Sequence, residues 1–261
     1  MYLMKIRSRS AQTLALLALL PMTMPVVADP PAAANIARAR QDLAEVERAV
    51  PNPARGAVVY QTCVECHSPQ GPGSAQGWVP EIAGQHARVI KKQLVDYRDG
   101  RRWDTAMETI AGRHVLTSAQ DIADVASYAA SLTPQPPQGV GSGEWLRIGA
   151  RRYEARCVSC HGETGQGNSV RIVPRVAGQR YEYVLRQLHD SLEGRRPNMA
   201  AGHARVLAGL DVTELNGLAD YISRLSLSTP HRSARTAGIP PGTASDDDRA
   251  PFIRVRYALE R

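Results

Sequence analysis

The chain has 261 residues and a formal net charge of +7, with 43% hydrophobic but only 5% aromatic residues and Phe252 as its single phenylalanine. That length suffices for two small domains, yet two small domains with so few aromatics build thin cores unless something large and apolar completes them. Three of the surplus charges, Lys5, Arg7 and Arg9, fall in a leader segment, leaving 7 − 3 = +4, too small a surplus to argue for a nucleic-acid partner.

Residues 1–28 read as a secretory leader. Basic residues up to Arg9 precede an apolar run at 14–20, and Val26-Val27-Ala28 offers the small residues of a cleavage site. The apolar run is too short for a membrane span and is followed by Pro21 and Pro25; an uncleaved anchor is the alternative. The leader predicts export to the periplasm. Residues 29–53 form an N-terminal extension, in which 35–50 reads as a short amphipathic helix with Ile36, Leu43, Val46 and Val50 as its apolar positions. Pro51 and Pro53 end it.

Residues 55–225 are an internal duplication. Cys63-Val64-Glu65-Cys66-His67 returns 94 positions later as Cys157-Val158-Ser159-Cys160-His161. Pro80, Gly84, Gln85, Leu94, Gly100, Arg101 and Arg102 return at the same offset, and Tyr128 and Leu132 return 93 later as Tyr221 and Leu225. The first unit spans 54–133, a Pro- and Gly-rich linker 134–143, and the second unit 144–227. Each unit predicts a helix carrying the cysteine motif at its end, a Gly- and Pro-rich loop, and an amphipathic helix at 87–97 or 181–192. A further loop and a last helix follow, the helix opened by a capping box, Ser118-x-x-Asp121 or Asp211-x-x-Glu214. No β pattern competes, so the fold class is all-α, two tandem helical domains. The tail, 228–261, with Pro230, Pro240, Pro241 and three consecutive aspartates, is expected to be largely extended or disordered.

Cys-x-x-Cys-His is the covalent attachment site of a c-type haem. Two thiols three positions apart each add to a vinyl group as thioethers, and the adjacent imidazole reaches the iron. Cys63, Cys66, Cys157 and Cys160 are the thioether candidates and use every cysteine in the chain. His67 and His161 are the proximal metal ligands, and two covalently bound haem c groups supply the missing apolar core. A sixth ligand should recur in both units. Met107 lies seven residues past Gly100 and Met199 five past Gly194, and a soft thioether suits haem iron. His86, His114, His189 and His203 have no histidine at the equivalent place in the other unit and read as surface or supporting residues. Pro80 and Pro174 each stand 13 past the proximal histidine; their carbonyls either accept the imidazole Nδ1–H or the prolines simply stiffen a loop. Arg101, Arg102, Arg195 and Arg196 are candidates for a haem propionate, a partner or solvent.

The two haem motifs, the Pro-x-x-x-Gly-Gln segments ending at Gln85 and Gln179, the Gly-Arg-Arg before each methionine and the helix ending near Tyr128 or Tyr221 together resemble the cytochrome c4 family. That resemblance implies two class I cytochrome c domains packed face to face, with haems close enough for internal electron transfer. It also implies that the Pro80 and Pro174 carbonyls bond the proximal histidines. Ser68 departs from it, where the family usually has glycine after the histidine, as at Gly162.

The expected function is single-electron transfer between periplasmic or membrane-bound redox proteins. It would run from a quinol-oxidising complex or a dehydrogenase towards a terminal oxidase, with room for transient contact with a membrane surface. The alternative is a cytochrome subunit held by a dehydrogenase, such as a flavocytochrome c sulfide dehydrogenase. An enzyme of its own, such as a di-haem peroxidase, needs an open iron site, and a methionine in each unit argues against one.

Overall fold

In the computed structural model the described residues are 30–200 and 202–226, their side chains from 34 onward. The leader at 1–28 and the tail from 228 lie outside them. Helices carry the whole described fold; its one β feature is an isolated bridge between Asn168 and Val173. No helix among the described residues is long and apolar enough to cross a membrane.

The first helix, α1, runs over Pro30–Arg48 and is longer than the expected 35–50 stretch. Two of its four expected apolar positions face outward, Ile36 at 37% and Val50 at 81% exposure, while Val46 and the unanticipated Ala39 are buried. Polar contacts dictate this seating. Asp42 receives Arg113 Nη2 at 2.6 Å, Arg38 reaches Asp99 at 3.3 Å, and Lys91 Nζ donates to the Val46 carbonyl at 3.3 Å.

The first unit then runs through α2 (Pro53–Val59), a 3-10 turn (Tyr60–Thr62), α3 (Val64–His67), α4 (Ala87–Arg98), α5 (Thr105–Ala111) and α6 (Ala119–Ser131). The second runs through α7 (Leu146–Arg156), α8 (Val158–His161), α9 (Tyr181–Leu192), α10 (His203–Leu207) and α11 (Val212–Arg224). Two expectations are corrected here. The helix that carries each cysteine motif breaks at its first cysteine rather than running through it. The loop before the last helix folds into a short helix in each unit, α5 or α10. Both capping boxes form: Ser118 with Asp121, and Asp211 with Glu214.

In each unit the first and last helices cross with their backbones nearly touching, and glycine permits it. A Cβ on Gly56 would fall 2.2 Å from the Asp124 carbonyl oxygen, and one on Gly149 would fall 1.8 Å from that of Gly217. The crossings hold paired tyrosines. Tyr60 packs on Tyr128 at 5.1 Å between ring centres and Tyr153 on Tyr221 at 5.4 Å. Tyr60 and Tyr153 also donate to the carbonyls of Ser68 and Gly162, at 3.0 and 2.8 Å. Each unit has its own apolar core, one around Tyr60, Val95 and Ile122, the other around Tyr153, Leu218 and Ile222.

Candidate haem sites

Each cysteine motif is held between a broken helix and a loop that folds back beneath it. The cap after α3 is Ser68 at φ +64°, and after α8 it is Gly162 at φ +80°, so the chain reverses at once behind each histidine. That reversal brings the following loop under the imidazole. His67 Nδ1 lies 3.1 Å from the Pro80 carbonyl oxygen, and His161 Nδ1 lies 3.0 Å from that of Pro174. A carbonyl only accepts, so Nδ1 carries the proton in both rings and Nε2 is left with its lone pair. Burial, opposed by that carbonyl, pushes both imidazoles below their ordinary value, which keeps them neutral.

None of the four cysteines forms a disulfide. The first of each pair is half-buried and the second exposed. Burial pushes the Cys63 thiol up and the Cys157 thiol up to about 12. Met107 lies in the first turn of α5, where its N–H donates to Asp104 Oδ1, and its side chain packs on the first core. Met199 follows a turn closed by its own N–H on the Arg196 carbonyl, and its thioether accepts the Ser191 hydroxyl.

Between the units lies a buried cationic cluster. Arg102, 7% exposed, donates to Gln93 at 2.7 Å within its own unit and to Tyr183 and Gln187 of the other at 2.7 and 3.0 Å. Arg196 reaches Gln93 at 3.3 Å. Neither guanidinium has a carboxylate partner among the described residues, and Arg196 Nε is buried with no hydrogen-bond partner. Burial, with Arg102 next, pushes Arg196 down to about 10. The other two arginines of the repeated pairs are spent differently: Arg101 lies near Asp96 at 3.8 Å, and Arg195 pairs with Asp190 and Glu193.

These features fit a haem in each unit: a neutral imidazole with a free Nε2, two cysteines outside any disulfide and a methionine, plus two guanidiniums without carboxylate partners, one with an orphaned buried Nε, suited to carboxylates. The other histidines are dispersed. His86 Nε2 donates to the Gln166 carbonyl across the units, and His114 is exposed. His203 lies beside Ser191, a placement that its lack of a counterpart in the first unit concealed.

A family model described as cytochrome c matches residues 53–133, and one described as cytochrome c oxidase, cbb3-type, subunit III matches 145–222. The chain is 36% identical to cytochrome c4 of Azotobacter vinelandii over 52% of its own length and 70% of that protein's. It is 30% identical to a thiosulfate dehydrogenase electron acceptor of Stutzerimonas stutzeri, over 62% of this chain and 78% of the relative. The crystal structure of reduced recombinant cytochrome c4 from Pseudomonas stutzeri superposes over its full length and 68% of this chain, with a TM-score of 0.61 at 26% identity. Both halves therefore take a covalently bound haem c, and the chain belongs to the cytochrome c4 family.

Proposed function

We propose that the protein passes single electrons between periplasmic or membrane-bound redox partners, from a quinol-oxidising complex or a dehydrogenase towards a terminal oxidase. When bound, each haem supplies a one-electron ferrous–ferric couple. Cys63 and Cys66, with Cys157 and Cys160, hold the two groups as thioethers. His67 and His161 ligate through Nε2, while Pro80 and Pro174 fix each ring's tautomer and orientation through Nδ1. Met107 and Met199 would each offer a thioether sulfur as a further ligand. Arg102 and Arg196, between the units, would bind the haem propionates. A methionine and a histidine in each unit would leave the iron no vacancy for substrate, so the chain's own residues would serve electron transfer and not substrate binding.

The observation that carries this reading is the buried Arg196 Nε without a partner, beside an Arg102 without a carboxylate. Such a pair is costly unless anionic groups complete it. The ferric near-infrared spectrum tests the axial set through the weak charge-transfer band of methionine–iron bonding. Intensity for two such bonds is expected; half intensity or none removes Met107 or Met199 from the ligands.

A second reading, a cytochrome committed to one dehydrogenase, is favoured by the relative named a thiosulfate dehydrogenase electron acceptor. Co-purification of a dehydrogenase with the native protein supports it against the free shuttle. A periplasmic location rests on the leader at 1–28 and on the attachment of c-type haem outside the bacterial cytoplasm. Fractionation of cells and N-terminal sequencing of the mature chain test it.

A further inference from the structure

The two units differ on the methionine side. Ser191, in the last turn of α9, is buried, and its hydroxyl donates to the Met199 thioether. The same oxygen lies 3.4 Å from His203 Nδ1. A serine hydroxyl has one proton. With that proton on sulfur, the oxygen accepts from His203, so Nδ1 carries the imidazole proton and Nε2 keeps a free lone pair. No described residue bonds Nε2. His203 opens α10, half-buried, its N–H on the Ala200 carbonyl, and it lies within electrostatic reach of the His161 ring.

The first unit has no such arrangement. The counterpart of Ser191 is Tyr97, and the position 92 before His203, the spacing that relates the two methionines, is the fully buried Ala111.

We propose that His203 is a reserve ligand of the second iron, poised beside Met199 by Ser191. When the Met199 sulfur–iron bond breaks, a bond from His203 Nε2 to iron takes its place. No electron is gained or lost, and the Ser191 hydroxyl is released from sulfur. The inference rests on the assignment of Met199 as a ligand made above. Since methionine–histidine ligation raises a haem's potential, the exchange lowers that of the second haem alone and disfavours electron transfer from the first half to the second.

The test compares the spin state of the ferric holoprotein by electron paramagnetic resonance and the near-infrared band in Met107→Ala, Met199→Ala and Met199→Ala/His203→Ala, with two haems per chain checked by pyridine haemochrome. Met199→Ala is expected to lose half the band yet stay wholly low-spin. Met107→Ala and the double variant should each turn one haem high-spin. A high-spin haem in Met199→Ala, with half the band lost, overturns the reserve ligand alone. An unchanged band in Met199→Ala overturns the methionine assignment and the exchange with it. Should Met199→Ala fail to load its haem, sub-denaturing guanidinium serves in its place, by breaking the methionine–iron bonds of otherwise intact protein. The second haem is then expected to remain low-spin in the parent chain and to become high-spin in His203→Ala; low-spin in both overturns the proposal.

Discussion

Gln85 and Gln179 stand 94 positions apart and clamp each other's unit in the same way. The Gln85 amide accepts from the Arg175 N–H and donates to its carbonyl, both at 2.9 Å, and the Gln179 amide does the same to Glu81 at 3.0 and 2.9 Å. Arg175 and Glu81, themselves equivalent positions, meet at 3.5 Å with both side chains buried. Further out, His86 Nε2 sits 2.9 Å from the Gln166 carbonyl, and Arg180 donates to that of Pro72 at 2.8 Å. The units are thus joined about a local two-fold, largely through main-chain groups, which leave less freedom than long side chains would.

Replacing either glutamine by alanine removes three hydrogen bonds, two across the seam and one to the N–H of the next residue, His86 or Arg180, and strands two backbone N–H groups and a C=O. Gln85→Ala and Gln179→Ala should each destabilise by about 1–3 kcal/mol. Because the two clamps secure one seam, the double variant should depart from additivity. Denaturant unfolding of the holoprotein checks both, and separate transitions for the two units are expected in the double variant.

Ser68 occupies φ +64°, ψ 160°, a region almost reserved for glycine, which Gly162 fills in the second unit at φ +80°, ψ 164°. The strain is worth about 1–3 kcal/mol. Ser68→Gly should recover part of it and raise the melting temperature of the holoprotein, whereas Gly162→Ser should lower it. Equal melting temperatures for Ser68→Gly and the parent would show that the backbone there has relaxed.

Acid should weaken the first unit by a defined route. Burial alone would raise Asp121 and Asp124, but hydrogen bonds outweigh it: Thr117, Ser118 and Arg55 on Asp121, and Asn52, Arg55 and Gln120 on Asp124. Both carboxyls therefore sit below their ordinary value of 3.8. A depressed carboxyl contributes fully above that value and loses its contribution as pH falls through the lower, folded one. Asp124→Asn should cost about 2 kcal/mol at neutral pH. The gap from the parent should close in acid, as followed by denaturant melts at stepped pH.

The duplication, the cysteine motifs and both capping boxes were legible because each is a local pattern, repeated. The seating of α1 was not. Its register is set by Asp42 meeting Arg113 and by Lys91 meeting the Val46 carbonyl, contacts between distant residues that override an apolar spacing and turn Ile36 and Val50 outward. The helix crossings were equally hidden, since Gly56 and Gly149 are ordinary helix-weakening residues until the opposing backbone is known. Gly149→Ala, which drives a Cβ into a main-chain carbonyl rather than a side chain, should cost about 3 kcal/mol or more. Denaturant melts measure that cost, and haem content after expression shows whether the second unit still loads. The exchange of roles between Tyr97 and Ser191 was visible as letters, but only the Ser191 contacts with Met199 and His203 gave it meaning.

The cationic seam makes the last prediction. Two guanidiniums without carboxylate partners lie between the units, and both reach Gln93 Oε1. A buried positive charge favours the ferrous over the ferric state, because oxidation adds a positive charge nearby in a medium of low dielectric. Arg196→Met should therefore lower both haem potentials. It should also ease the repulsion on Arg102, whose remaining bonds run to Tyr183 and Gln187. Spectroelectrochemical titration should resolve two steps in the parent, because the sulfur contacts of Met107 and Met199 differ, and both steps should shift to lower potential in the variant. A shift in one step alone would assign Arg196 to a single haem, and unshifted steps would place the propionates elsewhere.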